Sequence, residues 1–176
     1  MRRLNRYFLP ALVAVALAVA PAACKRHPKP SAEDTGKPAM MLAMSDGRSQ
    51  MQLVHGFYQL EAGAWRWTGK TFGVSLRVPA NAARDGARLM MKVTVPQTQV
   101  DRLKSLTLSA QVNGVDVAPE TYSRAGEFLY ERDIPAAALV RDMASVEFSL
   151  DKVTPPVPPD VRELGIVVTS VGFMAK

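Results

Sequence analysis

Apolar residues alternate with small or polar residues in several short segments after residue 70. Residues 72–78 read FGVSLRV and residues 106–112 read LTLSAQV. This period of two is typical of a β-strand, in which successive side chains point to opposite faces. Each segment would therefore place its large apolar side chains on one face. The pattern predicts strands of a sheet that covers a core on one side.

A hairpin signal follows the second of these segments. The dipeptide Asn113-Gly114 accepts the positive φ angles that a type I′ turn requires at both central positions. The chain then returns through Val115-Asp116-Val117. We therefore expect residues 106–117 to form an antiparallel hairpin.

Four more segments have strand-like composition: residues 89–95, 127–134, 144–150 and 164–174. Only residues 135–143 (PAAALVRDM) favour a helix, and that segment is too short to be stable alone. No segment offers the crossover helix that parallel strands need. The sequence therefore predicts an all-β domain at residues 51–176, an antiparallel β-sandwich or jelly roll.

The N-terminus has the organisation of an export signal. Three arginines precede an apolar run at residues 7–20, and small residues follow the run. The run has about 14 residues, whereas a membrane-spanning helix needs roughly 20. We therefore expect residues 1–23 to be a signal peptide rather than a permanent membrane helix.

Cys24 is the only cysteine and directly follows residues 21–23 (PAA). This arrangement resembles the lipobox of bacterial lipoproteins, in which the cysteine becomes the N-terminus and its sulfur carries diacylglycerol. Pro21 departs from that pattern, which prefers leucine or a similar residue. The same region also fits cleavage for ordinary secretion. We predict lipidation at Cys24, with a soluble periplasmic or secreted protein as the alternative.

Residues 24–50 contain the anchor site followed by a segment rich in Pro, Lys, Ser and Gly. We interpret this segment as a flexible linker. Lys25 directly after the cysteine favours the outer membrane over the inner one, by the lipoprotein sorting known for enteric bacteria. With a single cysteine no intramolecular disulfide can form, so the exported domain must be stabilised by its core.

Charge and composition argue against several functions. The net charge of +6 falls to +3 without the three signal-peptide arginines, and the remaining basic residues are dispersed. Nucleic-acid binding typically uses a clustered basic surface, so we expect none. A zinc site needs several convergent His or Cys ligands, and the sequence has only two histidines, His27 and His55, and one cysteine. No motif indicates a cofactor. We expect no catalytic residue; Glu61 with Asp160 is the one carboxylate pair that a hydrolase interpretation would use.

The aromatic stretch HGFYQLEAGAWRWTGK has two interpretations. In an extended chain Trp65 and Trp67 point to one side and Arg66 to the other. They form either a platform for sugar rings, with Glu61 and Arg66 bonding hydroxyls, or core filler with an ion pair beside it. We expect Trp67 in the core, and Tyr58 and Trp65 as candidates for contact with a ligand.

A second group lies near the C-terminus, where residues 154–159 (TPPVPP) lead into Asp160 and Arg162. The prolines hold the chain extended and outside a strand ladder. Two residues apart, Asp160 and Arg162 project to the same side of an extended chain. We expect them to pair with each other or with Glu61 and Arg66.

Several motifs together resemble the β-sandwich modules found beside or fused to bacterial glycosyltransferases. They are Gly56-Phe57-Tyr58 with Glu61, Arg66-Trp67-Thr68, Val112-Asn113-Gly114 and the segment DVRELGI at residues 160–166. Those modules are associated with assembly of cell-surface polysaccharides. The resemblance implies that the corresponding positions meet in space. Since no transferase domain accompanies the motifs here, it implies a binding or docking role.

We therefore expect a non-catalytic envelope lipoprotein that is attached to the membrane by its lipid. Its sandwich would bind carbohydrate or the machinery of polysaccharide assembly. The alternative is a scaffolding module that binds an envelope protein through an exposed strand edge. The candidate ligand-binding residues are Tyr58, Glu61, Trp65, Arg66, Asp160 and Arg162. A sugar platform requires that Tyr58 or Trp65 keep an aromatic face open to solvent.

Overall fold

The computed structural model describes residues 36–176. The predicted signal peptide, Cys24 and the first part of the predicted linker lie outside the described residues. Within 36–176 the protein is an antiparallel β-sandwich with short helices between some strands, which confirms the predicted fold class. No helix in this range has the length and apolar character needed to cross a bilayer.

The elements follow one another along the chain with short connections. The strands are β1 (Met41–Ala43), β2 (Leu53–Phe57), β3 (Arg66–Arg77), β4 (Ala87–Val95), β5 (Leu106–Val112), β6 (Val115–Tyr122), β7 (Gly126–Ile134), β8 (Met143–Leu150) and β9 (Val167–Ala175). The helices are α1 (Ala82–Asp85) and α2 (Gln97–Leu103), with 3-10 turns at Gly47–Gln52 and Ala136–Ala138.

Strand β3 belongs to both sheets. Its first residues, Arg66 and Trp67, pair with Val168 and Val167 of β9, in the sheet that continues to β4 and β7. Its later part pairs with β8 and β2, in the sheet that continues to β5 and β6. The start of β3 therefore lies at a corner of the sandwich.

The core lies between the sheets, and β4, β5 and β8 contribute every second residue to it. In β5 the buried positions alternate with polar ones as the sequence pattern predicts, and β4 follows the same rule. Phe72 of β3 stacks on Phe148 of β8 with ring centroids 5.0 Å apart. Offset aromatic pairs of this kind contribute about 0.5–1.5 kcal/mol beyond the area they bury.

The predicted hairpin is confirmed. Strand β5 has the predicted bounds, and Asn113 and Gly114 have φ angles of 49° and 82°. Both angles lie in the region that a type I′ turn requires. The Asn113 side chain also donates a hydrogen bond to the carbonyl oxygen of Ala138 over 2.8 Å, which connects this turn to the 3-10 turn between β7 and β8.

The folded domain begins earlier than residue 51, inside the segment interpreted as a linker. Strand β1 pairs with β9, and Leu42 and Met44 are buried in the core. Gly172 permits this pairing, since a Cβ atom there would lie 2.4 Å from the carbonyl oxygen of Met40. The short apolar run in the predicted linker is therefore a strand of the sandwich.

Residues 135–143, whose composition favours a helix, form no α-helix, as expected for so short a segment. That segment holds only the 3-10 turn Ala136–Ala138, and strand β8 already begins at Met143. A helix lies instead at α2, directly after Pro96. The seven residues of α2 hold two apolar residues at helical spacing, Val100 and Leu103, and so short a pattern does not predict a helix.

Candidate functional site

A pocket of about 180 Å³ lies at the end of the sandwich where β3 begins. Three segments form it: the start of β3, helix α2 and the loop that leads to β9. The lining residues are Trp67 from β3, Thr98, Gln99 and Arg102 from α2, and Thr154, Pro155, Val157, Asp160, Arg162 and Leu164 from the loop. The pocket therefore combines one aromatic wall with charged and hydroxyl groups.

The aromatic wall is Trp67, which is half-buried and lies outside the core cluster. This corrects the expectation that Trp67 fills the core. The aromatic residue that β3 places in the core is instead Phe72, and the adjoining Phe57 packs against it edge to face with centroids 5.3 Å apart. The reason is the position of Trp67 at the sheet corner, where β3 leaves the second sheet to pair with β9.

Trp65 points to the same side as Trp67, as the alternation predicts. The two indole rings meet edge to face, with centroids 6.3 Å apart and an interplanar angle of 79°. Trp65 and Tyr58 are both half-buried. Complete burial of both rings would have favoured the scaffold interpretation, and it is not observed. Trp65 supports the ring of Trp67 from the side.

The floor of the pocket is a buried polar contact between α2 and the loop. The Gln99 side chain is 2% exposed and the Thr154 side chain is 7% exposed. The Gln99 amide donates to the carbonyl oxygen of Leu164 over 2.9 Å, and the Thr154 hydroxyl donates to the Gln99 amide oxygen. Since buried polar groups destabilise a fold when they are left without partners, this paired floor fixes α2 against the loop.

Arg162 binds two carboxylates beside the pocket. Its Nη1 donates to Glu61 Oε1 over 2.7 Å, while Nε and Nη2 donate to the Asp160 carboxylate over 3.0 and 2.8 Å. The guanidinium carbon also lies 5.3 Å from the centre of the Tyr58 ring. The structure thus brings Glu61, Asp160 and Arg162 together, as expected.

These contacts shift the ionisation of the network. The hydrogen bonds from the Arg162 side chain and backbone N–H lower the pKa of Asp160 to about 2. The two carboxylates raise the pKa of Arg162, Asp160 first and Glu61 second. Charge-assisted hydrogen bonds favour the charged forms, so both Asp160 and Arg162 are ionised at neutral pH.

Residues around Glu163 attach the loop to the aromatic stretch. The Tyr58 hydroxyl donates to the carbonyl oxygen of Glu163 over 2.8 Å, and the backbone N–H of Lys70 donates to the Glu163 carboxylate over 3.0 Å. Gly165 lies so close to β3 that a Cβ would be 2.6 Å from Thr68 Oγ1. The glycine of the DVRELGI segment is therefore required for this close approach.

Arg66 does not join the network, which corrects the expectation that it pairs with Glu61, Asp160 or Arg162. Its side chain is 8% exposed and donates to the carbonyl oxygen of Tyr58 and to Gln50 Oε1, over 2.8 and 2.7 Å. Its Nε is buried without a partner among the described residues. The physical reason is strand alternation, which turns Arg66 away from the face that carries Trp67.

Sequence reasoning missed the residues that α2 contributes. Thr98 and Arg102 are exposed and line the pocket, and Gln99 forms its floor. Their spacing of one helical turn would have been a signal only if the helix itself had been predicted. Ligand contact by Tyr58, Glu61, Trp65, Arg66, Asp160 and Arg162 stays a prediction.

A larger groove of about 400 Å³ lies on the outer face of the other sheet. Its lining residues come from β3, β5, β6 and β8 and include Gln111, Asp116, Glu147 and Phe148. Three of its polar side chains already have partners: Gln111 donates to Asp116 over 2.7 Å, and Glu147 Oε2 lies 2.7 Å from Nε2 of His55, a residue of β2 that does not line the groove. Phe148, its aromatic residue, is 2% exposed.

Over residues 36–176 no group of three His, Cys, Asp or Glu side chains converges in a way that would hold a metal ion.

Solved structures that are similar in shape include carbohydrate-binding modules. A carbohydrate-binding module CBM36 in complex with calcium and xylotriose shows 8% identity and a TM-score of 0.44, over 76% of this chain and 98% of that chain. A CBM4 module shows 10% identity and a TM-score of 0.38, over 81% and 91%. An exo-beta-1,3-galactanase from Phanerochaete chrysosporium shows 8% identity and a TM-score of 0.43, over 78% of this chain and 29% of that chain.

The two carbohydrate-binding modules are β-sandwiches, as this chain is. The chain spans less than a third of the length of the galactanase. No family model and no curated protein matches the sequence. The resemblance to glycosyltransferase-associated modules stays a prediction, as does lipidation at Cys24.

Proposed function

We propose that this protein is a non-catalytic lipoprotein of the cell envelope whose sandwich binds carbohydrate at the Trp67 pocket. The export signal and the position of Cys24 support the envelope location and the lipid anchor. Lys25, directly after the cysteine, supports attachment to the outer membrane rather than the inner one. The polysaccharide, free or held by its assembly machinery, would be the partner.

The observation that carries the proposal is the half-buried Trp67 ring in a small pocket with polar walls. An indole ring combines a large apolar face with a preference for specific contact geometry. Ligand sites pair such apolar surface with a few polar groups that orient the ligand, which Thr98, Arg102 and Asp160 can do. A pocket of about 180 Å³ fits one sugar unit rather than a long chain segment.

The geometry of the carboxylates supports a non-catalytic role. Glu61 and Asp160 bind the same guanidinium. A general acid in glycoside hydrolysis needs a raised pKa, whereas the pKa of Asp160 is lowered. Asp160 therefore lacks the property of a proton donor at neutral pH.

The proposal can be tested by titrating the purified protein with envelope polysaccharides and their oligosaccharides while following tryptophan fluorescence. We expect a change in emission that saturates, because a sugar on Trp67 alters the surroundings of the indole ring. In calorimetry, Trp67→Ala should abolish binding and Trp65→Ala should weaken it. Unchanged emission with every glycan, together with calorimetry that shows no heat of binding, would remove the carbohydrate function.

A second candidate is protein binding through the edge of β2. Val54 and Met51 near this edge are 58% and 94% exposed. The edge of β6 is closed by comparison, because Arg132 and the Tyr130 hydroxyl both donate to the carbonyl oxygen of Ala118. If β2 is the contact, Val54→Pro should abolish a cross-linked complex in intact cells while glycan binding persists. A complex that Val54→Pro leaves unchanged would exclude this edge.

A further inference from the structure

The side chain of Arg102 is exposed and lines the pocket together with Trp67. Over the described range 36–176 it makes no hydrogen bond, ion pair or ring contact. Arg162, the other guanidinium of the pocket, differs, because Glu61 and Asp160 accept hydrogen bonds from it. Arg102 therefore has donors available for a ligand.

Helix α2 presents Arg102 to the pocket. Residues three apart on a helix share one face, so Gln99 and Arg102 lie on the same side of α2. The buried contacts of Gln99 with Leu164 and Thr154 fix that side against the pocket. The Lys104 N–H donates to the carbonyl oxygen of Val100 over 2.9 Å and closes the last turn. Since the helix is already positioned, a ligand orders only the Arg102 side chain itself.

The two walls of the pocket differ in charge. On the loop wall, Asp160 and Arg162 neutralise each other, and Glu61 adds a negative charge behind Arg162. On the helix wall, Arg102 is the one charged residue that lines the pocket. Asp101 beside it accepts a hydrogen bond from Gln97. An anionic group is therefore attracted to the helix wall and repelled from the loop wall.

We propose that the pocket selects a sugar unit that carries a negative charge, with its ring on Trp67 and its anionic group on Arg102. This inference rests on the proposed carbohydrate function and specifies the ligand class. The planar guanidinium matches a carboxylate with two parallel hydrogen bonds, so a sugar acid fits the geometry best. A sugar phosphate shares the same chemistry and is distinguished by the experiment.

The experiment compares D-glucose, D-glucuronate and D-glucose 6-phosphate in NMR titrations of the purified protein at low salt. We expect both anions to bind about fivefold more tightly than glucose. The gain is modest because Arg102 is exposed, so solvent screens the ion pair that it forms with a ligand. The ratio of the two anion affinities identifies the preferred group. Added salt should reduce the advantage of the anions, because screening acts on exposed charges.

Arg102→Gln should make the three affinities equal, whereas Arg102→Lys should keep part of the preference as a point charge. Arg141→Gln is the matched control, because Arg141 is also exposed. It lies at the far end of β3, where the Val78 N–H donates to the carbonyl oxygen of the neighbouring Asp142. The ten residue steps from Trp67 to Arg77 separate the two ends by about 33 Å. Arg141→Gln should change none of the affinities.

Equal binding of glucose and glucuronate by the unaltered protein overturns this inference and leaves the carbohydrate function standing. A preference for anions that persists in Arg102→Gln overturns the assignment to Arg102. If none of the three hexoses shifts any resonance, the inference fails. The oligosaccharide titrations described above then decide the carbohydrate function separately.

Discussion

The Trp67 pocket and the groove on the outer sheet face differ in size and in chemistry. The groove is the larger, at about 400 Å³ against about 180 Å³. The two carboxylates that line it already have partners, Glu147 in His55 and Asp116 in Gln111, and its aromatic residue is buried. The smaller pocket has a half-buried indole ring and a guanidinium with available donors.

We base the proposed binding site on the contacts available to a ligand and not on volume. A ligand in the groove would have to break existing contacts such as the hydrogen bond from Gln111 to Asp116 before forming new ones. A ligand in the pocket meets Arg102 and Trp67 without such a competition. We therefore expect substitutions to affect the two regions very differently.

The largest effect is expected at Gly165. In Gly165→Val the Cβ would lie 2.6 Å from Leu150 and 2.8 Å from the backbone oxygen of Gly69. Overpacking of this kind costs about 1–3 kcal/mol or more, and backbone atoms cannot easily move aside. Urea denaturation should show that loss in the free energy of unfolding, together with weaker glycan binding.

Gly47→Ala is the control, because a Cβ at Gly47 meets nothing within 4 Å. It should leave the free energy of unfolding within about 0.5 kcal/mol of the unaltered value. A fully stable Gly165→Val protein would show that the close approach of the loop to β3 is not required.

The next effect is expected at Arg162. In Arg162→Met the carboxylates of Glu61 and Asp160 lose their shared partner. We expect a loss of about 1–2 kcal/mol in the free energy of unfolding, reduced because the side chain is 30% exposed. Arg162→Lys should recover only part, because an ammonium cannot bind in the same two-point geometry. Full stability in Arg162→Met would mean that the network contributes nothing to folding.

The network should also make stability depend on pH. The folded pKa of Asp160 is lowered to about 2, below the value of about 3.9 in unfolded chains. The folded state therefore binds fewer protons, so the contribution of Asp160 is present above about pH 4 and is lost as pH falls towards 2. The free energy of unfolding, measured by denaturation at several pH values between 5 and 2, should fall less steeply for Asp160→Asn than for the unaltered protein. Identical slopes would contradict the ion pair with Arg162.

The smallest effect is expected in the groove. His55 and Glu147 are 44% and 45% exposed, and exposed pairs contribute about 0–1 kcal/mol. Glu147→Gln should therefore change the free energy of unfolding by less than about 1 kcal/mol and leave glycan affinity unchanged. A loss of glycan affinity in this variant would move the binding site to the groove.

The sequence was most informative where local pattern and tertiary structure agree. The alternation in β5 and the turn at Asn113 and Gly114 follow from side-chain period and backbone preference, which are local properties. The contact between Glu61 and Arg162 was also expected, because complementary charges on an exposed loop tend to pair. Strand β1 was interpreted as linker because three residues carry too little periodicity to be recognised.

The sequence was least informative about burial at the corner of the sandwich. Trp67 was expected in the core, but its exposure depends on where β3 passes from one sheet to the other. Arg66 was expected near Asp160, but its contact with Gln50 depends on how the preceding turn folds back. Arg102 was missed because α2 spans only seven residues, with Val100 and Leu103 as its one apolar pair at helical spacing. These properties arise from tertiary packing, which local propensity does not encode.

The central claim is that the pocket, and not the groove, binds carbohydrate. The most direct measurement is calorimetry of one envelope oligosaccharide with the unaltered protein, Trp67→Ala and Glu147→Gln, after denaturation confirms that all three are folded. We predict that Trp67→Ala abolishes binding and that Glu147→Gln binds as the unaltered protein does. Binding that survives Trp67→Ala and is lost in Glu147→Gln would contradict the claim.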